Sequence, residues 1–387
     1  MKELRVGYGH EPSSTHLTIG HNPKHSKNLN YLFIPPCHKP EKNFLAASQK
    51  LCEYLLDHTE IQSVHAVNNF QILYYAYFHK SSLRVDKLSF DECEPSYYGN
   101  EFLENELSKE ACHFIRHFSS APENKYERDF KLSICMTTFN RKKELEEALE
   151  ALKNQSHSDF ELIVINDGTT DESAKSFQAA MKDKYFKADS SWKWIDQENT
   201  YLGQARNNAA AKASGNCLLF LDDDNIPELH MVQTYKDNWQ KYNYKVFVSA
   251  FQIFYDEHPH SKNYWYPFPT STFAKTLGNI IADAQCLIDV ELFKKIDGYT
   301  TDKGIGYEDW EFYLNILEAE SIFPIFKPLY RYRVHKADNS MRKNTKAFLN
   351  NQRAIRPLQK KFPRLARSFM QNIAHFNSHN FITAKKS

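Results

Sequence analysis

The sequence predicts an α/β protein with a mainly parallel sheet, an α-rich N-terminal region and a basic helical C-terminal tail. Between residues 131 and 225, short apolar runs alternate with segments of helical periodicity. This alternation is typical of right-handed βαβ units, in which a helix crosses from one strand to the next. A content of 41% hydrophobic and 25% charged residues is that of a globular protein. A disordered or collagen-like chain is therefore excluded.

The N-terminal region, residues 1–118, has helical patterning in two segments, and the run VNNFQILYYAYFH between them fits either a strand or a helix. Residues 45–56 and 102–118 carry apolar side chains at helical spacing, whereas residues 1–40 are rich in turn-forming residues. Residues 119–130 are polar, include a proline and predict a linker. We expect a separate domain here, and none of its motifs assigns it a role.

The region 131–340 predicts a sheet whose functional residues follow its strands. Strands are predicted at 132–139, 161–167, 193–197 and 216–224, with helices at 140–155, 170–185 and 204–214. Ligands of such sheets bind beyond the carboxyl ends of the strands. The candidate residues are therefore Thr137 to Arg141, Asn166 to Gly168 and Asp222 to Asn225.

Three consecutive acids, Asp222, Asp223 and Asp224, stand at the end of the fourth predicted strand. Adjacent carboxylates repel one another, and a cation that neutralises them offsets this repulsion. Carboxylate oxygens suit Mg²⁺ or Mn²⁺, which complete their shell with substrate phosphates. The alternative is a solvated acidic turn ahead of the next helix, and the strand context favours the cation.

Four motifs, taken in order, resemble those of the family 2 glycosyltransferases of GT-A (Rossmann-like) fold. They are MTTFNR at 136–141, VINDGTTD at 164–171, GQARNNAAAKASG at 203–215 with FLDDD after it, and GYEDWEF at 306–312. Each motif alone is weak, but the four in this order and spacing are specific. The resemblance covers residues of about 131–339 and implies a nucleotide-sugar-binding domain that transfers a sugar to a hydroxyl group.

The resemblance implies a donor site at the strand ends. Thr137, Thr138 and Arg141 match positions where the nucleotide enters. Asp167 matches the acid that accepts a hydrogen bond from the base, usually uracil, so UDP-linked donors are favoured. Arg206 lies in the segment that contacts the nucleotide and the diphosphate.

The resemblance also implies a metal site for Mn²⁺ or Mg²⁺. Asp222 and Asp224 match the outer acids of the DxD motif, which holds the ribose and the metal, with Asp224 as the direct ligand and Asp223 between them. His335 matches a further metal ligand of some members. Arginine forks suit phosphate oxygens, and two arginines near His335 are expected to approach the diphosphate: Arg331 and Arg333.

Asp309 matches the catalytic base of the family. Chemistry requires such a group, because an inverting transfer needs a carboxylate that takes the proton of the acceptor hydroxyl. The metal stabilises the leaving nucleoside diphosphate as a Lewis acid. Glu308 and Trp310 are expected on the acceptor side. The alternative for Glu308 and Asp309 is capping of the following helix, and one residue can serve both roles.

Charge and cysteine usage bear on partners and location. Residues 331–387 carry 14 Lys and Arg against one acid, whereas residues 131–330 carry 21 against 30. The tail therefore predicts either binding to an anionic membrane surface or packing on the acidic domain, and both stay open. Seven cysteines without a CxxC pair favour free thiols and a cytoplasmic location, with peripheral contact at the inner face of the cell membrane as an extension.

The predicted function is transfer of a sugar from a nucleotide-sugar donor to a glycan or lipid-linked acceptor in polysaccharide biosynthesis, with no nucleic acid as partner. One alternative is a non-catalytic scaffold that binds nucleotide-sugars or glycans, and the joint presence of DxD, Asp309 and His335 argues against it. The other is a sugar nucleotidyltransferase, whose glycine-rich phosphate loop is missing from MTTFNRKK. The N-terminal region fits an acceptor-binding domain, an oligomerisation module or a remnant of a second transferase.

Overall fold

The computed structural model describes two compact units, Met1–Ala121 and Pro122–Ser387. In the first unit it describes the backbone of five strands. In the second it describes residues 124, 128–187, 191–256, 258–265, 267, 279, 281–335 and 347–361.

The first unit contains a parallel sheet that sequence patterning did not predict. Its strands are β1 Lys2–Tyr8, β2 Leu17–Gly20, β3 Tyr31–Phe33, β4 Ile61–Ala66 and β5 Lys87–Phe90. They are arranged in the order β3-β2-β1-β4-β5, and each neighbouring pair is parallel. Three of these strands lie within residues 1–40, where turn-forming residues obscured them. The helices expected at 45–56 and 102–118 lie outside the described residues.

The second unit contains a nine-stranded sheet within the described residues. Its strands are β6 Leu132–Thr138, β7 Phe160–Asp167, β8 Trp192–Gln197, β9 Cys217–Asp222, β10 Ile226–Pro227, β11 Val246–Tyr255, β12 His258–Trp265, β13 Cys286–Asp289 and β14 Ile322–Arg333. Its helices are α1 Lys143–Lys153, α2 Glu172–Met181, α3 Leu202–Ala211, α4 Met231–Lys241, α5 Val290–Lys295, α6 Glu308–Ala319, α7 Ala347–Ala354 and α8 Arg356–Lys361.

The sheet is mixed rather than mainly parallel. Its order is β10-β14-β11-β13-β9-β6-β7-β8, and β12 pairs with β11. The strands β9, β6, β7 and β8 are parallel to one another, as the βαβ pattern predicts. Strand β13 is antiparallel to both β9 and β11, so it reverses the direction of the sheet at its centre. The α/β class is confirmed, and the predominance of parallel pairing holds for the first half of the domain.

The parallel strands form because their side chains are buried on both faces. Every residue of β6 is buried, and the interior residues of β7 and β9 are nearly all buried too. Such strands are continuous apolar runs rather than alternating ones. Helix α1 covers one face with a stripe at helical spacing, formed by Leu145, Ala148, Leu149 and Leu152.

The described part of the C-terminal tail packs on the domain. Ala354 and Ile355 are fully buried in the core cluster that also holds residues of α6. Arg356 Nη2 donates to Asp302 Oδ2 at 2.6 Å, and its Nε donates to Glu311 Oε1 at 3.1 Å. Packing on acidic groups is therefore observed for residues 347–361. Among the described helices, none has the length and apolar character needed to cross a bilayer.

Candidate active site

The candidate site lies where the strand order reverses between β6 and β9. Along the chain, β6 is followed by β7 and β8 on one side, and β9 then pairs on the other side. Such a reversal opens a crevice at the carboxyl ends of the two strands. Thr137 is paired in register with Asp222 there, and Thr137 and Thr138 are both buried. The predicted strand-end residues therefore meet at one edge of the sheet.

Arg141 joins the second and third acids of the triad. Its Nε donates to Asp223 Oδ1 at 3.2 Å, and its Nη2 donates to Asp224 Oδ2 at 2.5 Å. Burial, with the neighbouring charge of Asp224, raises the pKa of Asp223 to about 7, although Arg141 opposes the rise. Burial acts on Asp224 as well, but the hydrogen bond from His335 and the charge of Arg141 outweigh it and lower the pKa of Asp224. The pKa values of these two neighbouring carboxyl groups are thus shifted in opposite directions.

His335 lies beside Asp224, as expected of a second metal ligand. Its Nε2 is 2.9 Å from Asp224 Oδ2 and 3.4 Å from Arg141 Nη1. Two neighbouring ligands at about 2.1 Å from an octahedral ion are about 3 Å apart, so this pair fits Mg²⁺ or Mn²⁺. Within the described residues, no three His, Cys, Asp or Glu side chains form a metal-binding group. An ion held by this pair would need its other ligands from water and substrate phosphates, and Arg141 Nη2 donates to the same Asp224 oxygen.

Arg206 lies inside the domain rather than on a nucleotide-facing surface. It is 3% exposed. Its Nη2 donates to Asp222 Oδ1 at 2.7 Å, and its Nη1 donates to Glu308 Oε1 at 2.9 Å. Two expectations change as a result: Arg206 bridges the acids instead of contacting the diphosphate, and Glu308 is its buried partner rather than an acceptor-facing group. Burial raises the pKa of Asp222, and Arg206 limits the rise.

Asp309 is the second residue of α6 and is half-buried. Its Oδ2 accepts from Asn279 Nδ2 at 3.0 Å, and its Oδ1 accepts from the backbone N–H of Trp310 at 2.8 Å. Tyr307, two residues before Asp309, has a left-handed backbone with φ 64°. This turn leads the chain into α6, whose first residue, Glu308, makes the bridge to Arg206.

The Trp310 ring belongs to the core rather than to the acceptor side, where the sequence motif placed it. It is 2% exposed and lies in the buried cluster with Phe312 and Tyr313. The apolar positions of α6 face the sheet, and residue 310 falls on that face. Its position next to an acid in the motif suggested a role in binding, but helical periodicity decides where the ring goes.

Asp167 ends β7 and is held by the segment after β8. Its Oδ1 accepts from Gln197 Nε2 at 2.7 Å, from the Thr200 backbone N–H at 2.8 Å and from Thr200 Oγ1 at 3.0 Å. All three bonds end on Oδ1. The carboxyl group is fixed in orientation, and its Oδ2 takes no part in these contacts.

The two arginines expected on the diphosphate are engaged with protein groups. Arg333 is buried, and its guanidinium bonds to the side chains of Glu147 and Asp256. Its Nε donates to the backbone oxygen of Asp224 at 3.1 Å. Arg331 Nε is 3.5 Å from Glu228 Oε1. Arg333 therefore shapes the acidic turn from behind, which corrects its predicted role, and Arg331 is the more exposed of the two.

Asp283 is a site residue that the sequence motifs missed. It accepts from Asn225 Nδ2 at 3.1 Å, from the Gln285 backbone N–H at 2.9 Å and from the Tyr330 hydroxyl. Burial raises the pKa of Asp283 to about 7, and the nearby charge of Asp222 adds to the rise. Asp283 lies shortly before β13. Because β13 runs antiparallel to β9, its start lies at the edge of the sheet where β9 ends in the acidic triad. No strand-end pattern marks such a position, because the chain reaches the edge before the strand begins.

The comparison with protein families agrees with this architecture. Residues 133–296 match the family model described as Glycosyl transferase family 2. Residues 133–296 are therefore similar to the family 2 glycosyltransferases. The matched range contains the acidic triad and ends before Asp309.

Curated relatives match part of the chain. The chain is 25% identical over 232 residues to "Glycosyltransferase GlyA" of Streptococcus pneumoniae, covering 55% of this chain and 32% of the relative. It is 36% identical over 96 residues to "GalNAc(5)-diNAcBac-PP-undecaprenol beta-1,3-glucosyltransferase" of Campylobacter jejuni, covering 24% of this chain and 29% of that one. The chain thus spans less than a third of the length of either relative.

Solved structures resemble the domain at low identity. S. aureus TarS 1–349 in complex with UDP-GlcNAc superposes with a TM-score of 0.49 and 17% identity. The superposition covers 62% of this chain and 71% of TarS 1–349.

Proposed function

We propose that this protein is a metal-dependent, inverting glycosyltransferase that moves a sugar from a UDP-sugar to a hydroxyl of a glycan or a lipid-linked saccharide. One observation carries the proposal: the buried Arg206 guanidinium holds Asp222 and Glu308 at 2.7 and 2.9 Å. It thereby joins the predicted metal-binding turn to the helix on which Asp309 lies. Similarity of residues 133–296 to the family 2 glycosyltransferases supports the reaction class.

The donor is bound by groups at the ends of β6, β7 and β9. Asp167 accepts the N–H of uracil through Oδ2, the oxygen that its three protein bonds leave out. Asp224 and His335 would hold Mn²⁺ or Mg²⁺ beside the donor diphosphate, and Asp222 would lie at the ribose side. The bound ion supplies positive charge to the departing diphosphate.

Asp309 acts as the general base. The acceptor oxygen attacks C1 of the donor sugar from the face opposite the diphosphate, so the new bond forms as the C1–O bond to the diphosphate breaks. Inversion at C1 follows from this geometry. Asp309 takes the proton of the acceptor hydroxyl as that oxygen becomes bonded to C1. The bond from Asn279 fixes the carboxylate in orientation, and the carboxylate remains half-buried beside the crevice.

A relative supports the proposed acceptor class, and the cysteines support the proposed compartment. The Campylobacter relative is named for a reaction on an undecaprenol-linked saccharide. We extend that class, a glycan or lipid-linked saccharide, to this chain, with the cytoplasm as the compartment. The thiols of Cys135, Cys217 and Cys286 are free and buried, which agrees with a reducing compartment.

The proposal is tested by nucleoside diphosphate release from a panel of nucleotide sugars, with Mn²⁺, with Mg²⁺ and with EDTA. We expect release from one UDP-sugar that EDTA abolishes and that a lipid-linked saccharide accelerates. Release of pyrophosphate from a nucleoside triphosphate and a sugar 1-phosphate, assayed in parallel, would instead indicate a nucleotidyltransferase. Donor binding without release in the presence of a panel of saccharide acceptors would indicate a scaffold.

The metal assignment is tested by donor affinity rather than turnover. Asp224→Ala is expected to lower the affinity for UDP at least tenfold in Mn²⁺ and to leave the weak affinity in EDTA unchanged. The control is Asp237→Ala, which removes an exposed carboxylate from α4. Equal UDP affinity of Asp224→Ala and the parent protein in Mn²⁺ would refute the assignment.

A further inference from the structure

The turn that leads into α6 is held from the C-terminal side by α7. Gly306 ends the segment before Tyr307, and both of its backbone polar groups are bonded to α7. The Gly306 N–H donates to Asn350 Oδ1 at 3.3 Å, and the Gly306 carbonyl oxygen accepts from Arg353 Nη2. Gly306, Asn350 and Arg353 are all buried.

Arg353 also reaches the other side of Asp309. Its Nη1 donates to Glu311 Oε2 at 2.7 Å, and both side chains are 8% exposed. One guanidinium therefore fixes Gly306, three residues before Asp309, and Glu311, two residues after it. A planar fork can satisfy two acceptors at a fixed angle, which the single ammonium of lysine cannot do.

The position of Asp309 depends on this turn. Asp309 follows Tyr307, whose left-handed backbone bends the chain into the helix. Release of Gly306 would let the first turn of α6 relax and would move the Asp309 carboxylate. A displacement of about 1 Å in a reacting group can lower a rate about a hundredfold.

Packing of α7 and fixation of the turn are separate features. Ala354 and Ile355, on the same stretch, anchor it in the core by apolar contact. Apolar anchoring needs no buried charge, and burial of an unpaired guanidinium is unfavourable. The bonds of Arg353 to Gly306 and Glu311 thus specify the turn, whereas its neighbours hold the helix.

We infer that Arg353, with Asn350, is a positioning residue that holds the turn before Asp309 in its catalytic geometry, which makes α7 a structural part of the active site. This inference rests on the proposed function of Asp309. It adds that the segment after the family domain sets the rate of transfer without contacting the donor.

The test compares Arg353→Gln with Arg353→Lys and with the control Arg356→Gln. Arg356 also bonds to Glu311 but is 45% exposed in its side chain and does not contact Gly306. We expect Arg353→Gln to lower kcat for transfer at least tenfold, with UDP affinity within twofold of the parent. Arg353→Lys should recover part of kcat, and Arg356→Gln should stay within twofold.

A kcat of Arg353→Gln equal to that of Arg356→Gln would overturn the inference, as would a loss of UDP affinity that matches the loss of kcat. Should Arg353→Gln fail to fold, Asn350→Ala removes the bond to the Gly306 N–H and keeps Arg353 in place, and the same split between kcat and UDP affinity is expected.

Amide hydrogen exchange separates this inference from the proposed function. Residues 307–310 are expected to exchange faster in Arg353→Gln than in the parent and at the parent rate in Arg356→Gln. Unchanged exchange in Arg353→Gln overturns the positioning role whether or not the protein transfers sugar. If Arg353→Gln exchanges faster and the parent protein shows no transferase activity, the structural link stands and only the proposed function of Asp309 is overturned.

Discussion

Replacing Arg206 by methionine removes the cation that bridges Asp222, at the end of β9, and Glu308, at the start of α6. The guanidinium is 3% exposed and bonds to Asp222 at 2.7 Å and Glu308 at 2.9 Å. Its loss leaves two largely buried carboxylates without their partner. Breaking a buried ion pair on one side typically lowers the free energy of unfolding by about 3–5 kcal/mol. For a domain of this size, each kcal/mol lowers Tm by roughly 2–4 °C, so the expected loss is roughly 6–20 °C.

Calorimetry of Arg206→Met, with Arg331→Met as control, measures this effect. Arg331 is partly exposed and pairs with Glu228 at 3.5 Å, so its loss should cost about 1 kcal/mol or less. A second change, Glu308→Gln, removes one of the stranded charges, and the double variant should be more stable than Arg206→Met alone. The bridge would be refuted if Arg206→Met lowered the free energy of unfolding by less than about 1 kcal/mol. It would also be refuted if the losses of the two single variants added up in the double variant.

Three further predictions concern other parts of the domain. Asp309→Asn should abolish transfer while UDP affinity stays within twofold, and a parallel loss of UDP affinity would make Asp309 a structural residue. Hydrogen bonds from Ser133, Lys193 and Ser214 outweigh burial and hold the pKa of Glu161 at about 2, against 4.5 when unfolded. Because Glu161 is only partly buried, this depressed pKa adds about 1–2 kcal/mol of unfolding free energy above pH 4.5, and that stability is lost as pH falls from 4.5 to 2. Urea unfolding of Glu161→Gln should therefore show that loss at pH 7 and a flatter acid limb, and a parent-like pH profile would contradict it. Gly203→Ala should lower the free energy of unfolding by about 1–3 kcal/mol in urea, because its Cβ would lie 2.2 Å from the Thr300 carbonyl oxygen, and parent-like stability would exclude that contact.

The first half of the domain could be predicted from sequence because its signals are local. The predicted strands and helices between residues 132 and 224 agree with β6 to β9 and α1 to α3 within a few residues. Buried apolar runs and amphipathic stripes are properties of short segments, and the carboxyl-edge rule then places polar residues at strand ends. That rule brought Arg141, Asp167 and the acidic triad to one edge.

The rest of the fold depends on pairing between distant segments. The antiparallel direction of β13 and the long pairing of β11 with β14 have no local signature, so Asp283 was missed. Proximity to a motif in the sequence also gave wrong predictions of side-chain orientation. Three residues lie within or close to predicted site motifs in the chain, but burial and ion pairs direct their side chains inward: Arg206, Arg333 and Trp310.

The contacts that build the site span long stretches of chain. Arg206 and Glu308 are 102 residues apart, Arg333 and Glu147 are 186 apart, and Arg141 and His335 are 194 apart. Closing loops of this length is entropically unfavourable and slow, so these pairs form late in folding. A ribosome that has released β6 to β9 alone has made most of the parallel sheet but none of these three contacts. Ligand affinity of nascent chains would consequently arise in one step near residue 335, and UDP binding would report completion of the domain rather than formation of its secondary structure.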